Sequence, residues 1–170
     1  GTEKTAIALP GDYENFDLIF EWKGDGILGL RSIPAIKLGG KNSGTVIANA
    51  EPNAAVDNAM NSDAEWNTAY VRMVNDRVTV IINGIMVTDN LILENPASDQ
   101  KYVYPTGAIE FVSTGETMEV RDLYLRQLPS TPVFELSAEE AADGFKALFD
   151  GRSMHNFIGN TVNYIPVDGS

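Results

Sequence analysis

The side chains able to move a proton or hold a metal near neutral pH are sparse in this sequence. Cysteine is absent, which removes thiol nucleophiles, thiolate metal sites and disulfides together. The only imidazole, His155 in "RSMHNF", stands alone where a histidine-based metal site needs several convergent ligands, so no metal is expected on it. Carboxylates are abundant, but Asp57, Asp63, Asp89, Asp99 and Asp143 are scattered and none has EF-hand spacing, so a calcium site would have to be assembled by the fold. A glycosidase needs two carboxyl groups facing each other at roughly 5 to 10 Å. No acidic pair is forced together by spacing; Glu116 and Glu119 in "GETME" read as a turn and the start of a solvated strand. Aromatic rings are the other resource, because they stack on the apolar faces of sugars. Trp22, Trp66, Tyr70, Tyr102, Tyr104 and Tyr124 are available; Tyr102 and Tyr104, flanking Val103 before "PTG", read as groove-lining loop residues.

The 170 residues suffice for one hydrophobic core, and a formal net charge of -12 makes the average surface repel nucleic-acid backbones and anionic lipid. The opening "GTEKTAIALPGDYENF" lacks the apolar run of a signal peptide, and no stretch approaches the roughly 20 apolar residues of a membrane span. The expectation is a mature soluble chain or an excised piece of one.

Alternating apolar residues position these groups on strands. "TAIAL" (5–9), "FDLIFEW" (16–22), "ILGLRSI" (27–33), "AIKL" (35–38), "GTVIAN" (44–49), "NTAYVRMV" (67–74), "RVTVIING" (77–84), "IMVTDN" (85–90), "GAIEFVS" (107–113) and "MEVRDLYLRQL" (118–128) predict nine or ten short strands. Asn75-Asp76 and Asn83-Gly84 are tight-turn pairs, so residues 67–90 read as a three-strand meander. On its middle strand Val78, Val80 and Ile82 share one face and Thr79 and Ile81 the other, which puts the strand inside a two-sheet sandwich. The irregular stretch 48–66 reads as a surface excursion or a binding rim. "PSTP" (129–132) marks a boundary near residue 130, and "SAEEAADGF" (137–145) predicts one short helix with a Ser137/Glu140 capping box and a stop at Gly144.

Four stretches resemble, in order, a family of β-sandwich proteins known as 3-keto-disaccharide hydrolases: "DYENFDLIFEWKGDGILGLRSIPAIKL", "NSGTVIAN", "AEWNTAYVRMVNDRVTVIINGIMVTDNLILEN" and "YPTGAIEFVSTGETMEVRDLYLRQL". The run from "EWN" through "NG" to a terminal "RDLYLRQL" strand carries most of the likeness. It implies an all-β, two-sheet jelly roll of concanavalin or laminin-G type, with Trp66 of "EWN" at a packed core position and His155 structural, at a sandwich-edge turn. A domain of this family opens on an "LFDG" strand and turn and later a "V-x-DG" turn, which "GFKALFDGRSMHNFIG" (144–159) and "YIPVDG" (164–169) resemble. The beginning thus stands after the end. We therefore expect a main sandwich segment over 1–128, a linker and helix over 129–143, and a segment 144–170 completing the same sandwich in cis or by exchange between two copies, which would make a homodimer. A fragment of a tandem protein is the other arrangement.

The resemblance also implies where sugar binds: the concave face of one sheet, around "GLRSIPAIKL". Relatives carry Glu-Val-Gln after the proline; this chain has Ala35, Ile36 and Lys37, and a methyl cannot transfer a proton. Where relatives carry Glu-Leu-Gln-His, this chain has Glu110, Phe111, Val112 and Ser113. The ligand candidates left are Arg31, whose guanidinium can grip a carboxylate or sugar oxygens, Lys37, Glu110, Ser113 and the loop residues Tyr102 and Tyr104. Glu110, on an apolar strand, is expected to pair with Arg31 or a backbone group. Two functions follow: hydrolysis of a glycosidic or 3-keto-glycosidic bond, the keto group acidifying the neighbouring C–H for elimination and water addition, or a noncatalytic carbohydrate-binding or protein-interaction module. No cofactor is required by either, a divalent metal such as calcium being the one candidate. The family implies an extracellular or periplasmic bacterial setting.

Overall fold

The computed structural model describes residues 5–47, 58–99, 102–154, 157 and 164, and the chain divides into two compact units, Gly1–Leu128 and Pro129–Ser170. The described strands of the first unit are β1 (Ala6–Ala8), β2 (Phe16–Leu30), β3 (Ile33–Leu38), β4 (Asn67–Val74), β5 (Arg77–Ile82), β6 (Ile85–Ile92) and β7 (Glu110–Gln127). Neighbours are antiparallel in the order β1-β7-β2-β4-β5-β6, with β3 also on β2.

One bent ribbon builds two layers. The long strands β2 and β7 pair from Phe16/Gln127 to Gly29/Glu110, with a register shift between Gly24 and Gly26. Before the shift, Phe16–Trp22 lies between β7 and β4; after it, Gly26–Leu30 lies between β7 and β3. The first layer is thus the far half of β7, then β2, β4, β5 and β6. The second is β1, the near half of β7, the end of β2, and β3. Phe20 of the first meets Phe111 of the second edge to face, ring centroids 4.9 Å apart, so the layers share one core. Gly24 makes the bend possible: its φ is +90°, and a Cβ there would lie 3.3 Å from the Thr117 carbonyl carbon. The result is an all-β sandwich.

Alternation explains what is buried. Leu18, Phe20, Trp22, Leu28, Leu30, Val71, Met73, Val78, Val80 and Ile82 are essentially inaccessible to solvent. Fully burying each such side chain stabilises the fold by roughly 1.5 to 3 kcal/mol before the chain entropy is set against it. The meander is as expected, with Asn75 (φ 55°), Asn83 (φ 48°) and Gly84 (φ 82°) in the left-handed conformations its turns require. Thr79 and Ile81 are half-exposed, so the outer face of the first layer opens to solvent.

Strand count is the main correction. Residues 16–22 and 27–33 were expected as separate strands, as were 107–113 and 118–128, because glycine and polar residues interrupt the alternation. Bulges instead let a single strand turn the corner in each case. "GTVIAN" shrinks to one bridge between Ile36 and Val46, Asn49 lying outside the described residues.

In the second unit the helix α1 (Ala138–Ala142) has the expected capping box. The Ser137 backbone N–H and hydroxyl both donate to the Glu140 carboxylate, at 2.8 Å each, and hold its pKa below the usual range. Gly144 follows at φ 89°. In "LFDG", Asp150 Oδ1 accepts the Arg152 and Ser153 N–H groups, and the Asp150 carbonyl accepts the Phe134 N–H at 3.0 Å.

Candidate functional site

The six residues singled out from sequence separate into two groups. Arg31 is 2% exposed and sits at φ 51°, directly after β2. Its guanidinium donates to the carbonyls of Glu14 and Tyr104 and to Asn15 Oδ1, so it clamps the Glu14-Asn15 stretch to the chain at Tyr104 and presents no open fork. Gly107 belongs to this clamp, since a Cβ there would lie 2.7 Å from the Arg31 carbonyl carbon. Tyr104 joins through its carbonyl and keeps its ring half in solvent; Tyr102 is likewise exposed.

Lys37 and Ser113 lie at the bend of the β2/β7 ribbon, which also brings up a residue the sequence reading passed over, Asp25. Asp25 is the bulged residue between Gly24 and Gly26, and it is flanked by glycines of two other segments, Gly39-Gly40 and Gly115. A Cβ on Gly115 would lie 3.6 Å from Asp25 Oδ2, and one on Gly40 would lie 3.6 Å from Asp25 Oδ1 and 3.7 Å from Lys37 Nζ. One on Gly39 would overlap Asp25 Oδ1. Gly39 and Gly115 thus let the backbone approach Asp25 closely, and at Gly40 a methyl-sized notch is flanked by a carboxylate and an ammonium. Asp25 is half-buried and, among the described residues, accepts no hydrogen bond and makes no ion pair. Lys37 Nζ donates to the Lys41 carbonyl, and Ser113, paired with Gly26, donates its hydroxyl to the Gly115 carbonyl at 3.3 Å.

The irregular stretch supplies a wall of this notch. Asp63 accepts the Gly40 N–H on Oδ1 at 2.8 Å and the Gly24 N–H on its carbonyl at 2.9 Å. Asn83 ties the same stretch to the meander, donating to the Ala59 carbonyl and to Asn67 Oδ1 at 2.8 Å each. Residues 48–57 lie outside the described residues.

Glu110 departs from expectation. It is half-buried opposite Gly29 and has no ion pair with Arg31, whose donors face the other way into the clamp. Gly29 is four residues along β2 from Asp25, roughly 13 Å at the rise of an extended strand. Ala35 is completely buried in the core cluster, so a methyl suits this position and the site does not extend to it. Among the described residues no three His, Asp or Glu side chains converge as a metal site would require; His155 and Asp57 lie outside them.

A second carboxylate of β2, Asp17, contrasts with Asp25. Its side chain is 5% exposed; it accepts from Tyr70 Oη at 2.8 Å and from Arg126 Nε at 2.9 Å, with Arg72 Nε at 3.8 Å. Burial alone would raise its pKa, but the hydrogen bonds from Arg126 and Tyr70 and the two guanidinium charges outweigh burial and lower it. The same contact raises the Tyr70 pKa, through burial first and the neighbouring carboxylate second. Trp66, expected in the core, lies instead half-exposed beneath the Arg121 guanidinium, 3.9 Å from the ring centroid, with Lys23 at 5.2 Å.

With this geometry in place, a family described as the 3-keto-alpha-glucoside-1,2-lyase-like domain matches residues 1–126. The chain belongs to this family. The match ends just before Leu128, the last residue of the first unit, so the family domain and the sandwich are the same body. Two crystal structures from Parabacteroides distasonis, each of a "putative glycosyl hydrolase", share the fold. One superposes with a TM-score of 0.58 at 16% identity, covering 74% of this chain and 75% of its own. The other has a TM-score of 0.51 at 16% identity, covering 75% and 85%. No curated protein matches the chain.

No described helix is long and apolar enough to cross a membrane.

Proposed function

We propose that the sandwich binds a 3-keto-glycoside in the notch at the ribbon bend and cleaves its glycosidic bond by elimination. The observation that carries this reading is Asp25: a half-buried carboxylate without a partner among the described residues, close to the ammonium of Lys37 and approached by the backbone of Gly39, Gly40 and Gly115. A carboxylate left unsatisfied in such a place is available to take a proton. The C–H next to the keto carbonyl is the acidic one in the substrate. Asp25 removes that proton, the electron pair is held as an enolate whose oxygen faces the Lys37 ammonium, and collapse of the enolate restores the carbonyl while the C–O bond of the leaving alcohol breaks. The leaving oxygen takes back the proton that Asp25 removed, which regenerates the carboxylate, and addition of water across the new C=C completes a net hydrolysis.

This chemistry needs one base and one counter-charge rather than two facing carboxyls. The competing reading, a carbohydrate-binding module without turnover, is favoured by Ala35 and Ser113. The former is buried and the latter donates to the chain itself, so neither offers a proton-transfer group.

The test is product formation on a panel of 3-keto-glycosides and matched ordinary glycosides, with the unaltered chain and with Asp25→Asn. Turnover confined to keto substrates and abolished in the variant supports elimination. Saturable binding with no product from a folded sample supports the binding module. Turnover unaffected by Asp25→Asn removes Asp25 as the base.

A further inference from the structure

The solvent-facing side of the first layer carries a feature that the notch does not use. Cross-strand register places Tyr124, Ile19, Tyr70, Ile81 and Met86 side by side on five successive strands. Tyr124 is 65% exposed, Met86 50% and Ile19 42%, while Tyr70 and Ile81 are half-buried. Four inter-strand steps make this an apolar stripe roughly 19 Å long, running across the strands. One pair step along the strands from Tyr124, Ile19 and Tyr70 lie Arg126, Asp17 and Arg72, in that order. The two arginine side chains are 71% and 48% exposed and share a single buried carboxylate, leaving one positive charge in excess at the edge of the stripe. On a chain of net charge -12 such a cationic margin is a local exception.

We propose that this face is a second carbohydrate surface, which takes an extended oligosaccharide of uronic acid residues. The tyrosine rings offer flat apolar platforms to successive pyranose rings, and the long axis of the stripe suits a chain laid across the sheet. Arg72 and Arg126, already oriented by Asp17, present their remaining N–H donors to sugar carboxylates. A second protein copy fits less well. The stripe is one side chain wide and bordered by charge, against the 20 to 30 residues a side of a standard interface.

The experiment is calorimetric titration at low salt with a hexamer of galacturonate and, in parallel, a neutral galactose hexamer, using the unaltered chain and three variants. The uronate should bind about tenfold or more tightly than the neutral oligomer, and weaken as salt is added. Tyr124→Ala, at an exposed position that folding does not depend on, should weaken uronate binding about tenfold. Arg126→Gln should bring uronate and neutral affinities together. Asp25→Asn should leave uronate binding unchanged, which separates this surface from the notch whether or not the notch is catalytic. The proposal is overturned by absence of uronate binding at millimolar concentration, by equal affinity of Tyr124→Ala, by loss of binding in Asp25→Asn, or by sedimentation showing a dimer that Tyr124→Ala dissociates.

Discussion

Two aspartates on the same strand, eight residues apart in "FDLIFEWKGD", have opposite surroundings. Asp17 is enclosed by donors: Tyr70, Arg72 and Arg126 come from the two strands that flank β2, and each extends a long side chain over the carboxylate. Asp25 is enclosed by glycines, whose missing side chains leave its oxygens without a described partner. The first arrangement holds a charge still and lowers its pKa; the second leaves a charge exposed to whatever enters the recess. Within one sheet, therefore, a satisfied carboxylate is a structural element and an unsatisfied one is a candidate for chemistry.

The sharpest way to separate them is substitution by asparagine, which keeps shape and removes charge. Asp25→Asn should lower product formation from a 3-keto-glycoside by about 10² to 10⁴-fold, the usual share of a general base. Its urea midpoint should correspond to a stability within about 0.5 kcal/mol of the parent, since no described contact is lost. Asp17→Asn should show the reverse, a loss of about 2 kcal/mol in urea denaturation through its charge-assisted hydrogen bonds, with turnover per folded molecule unchanged. Comparable losses of stability in both variants would break the contrast.

Acid titration tests the Asp17 side alone. Because its folded pKa lies below the unfolded value, near 3.9, its contribution to stability is fully present above that value and is lost as pH falls through the folded pKa. Denaturation midpoints followed from pH 7 downward should therefore drop below about pH 4 more steeply for the parent than for Asp17→Asn. Identical slopes would mean that the network does not hold the charge.

Filling the recess is a smaller perturbation. Gly40→Ala, at φ 60°, places a methyl between Asp25 and Lys37 and should cost about 1 kcal/mol of stability while weakening substrate binding. An unchanged KM would place the substrate elsewhere. Smallest is Arg121→Ala, which uncovers Trp66 and should cost about 0.5 to 1 kcal/mol with no effect on turnover. Loss of activity there would extend the site onto the outer face of the first layer.

Much of this fold is legible locally. The meander over residues 67–90 follows from strict alternation and two Asn-led turns, which specify both strands and register without distant contacts. The α1 cap is equally local, with Ser137 and Glu140 three residues apart. The bend of β2 and β7 was not legible, because a glycine between two apolar runs reads alike as a strand end or a bulge until its partner is known.

The site suffered from the same limit. Arg31 and Lys37 lie six residues apart in the β2/β3 segment and look equivalent as cations in sequence, yet one locks carbonyls inside the protein and the other borders the notch. Asp25 gave no signal at all in "KGDG", a sequence typical of turns. By itself the sequence determined the strand periodicity, the tight turns, the absence of thiol chemistry and the family, since each rests on residue type and short-range spacing. Tertiary structure alone decided which carboxylate was satisfied and which was not, because donors and glycines from strands up to about a hundred residues apart converge only once β2 and β7 bend together.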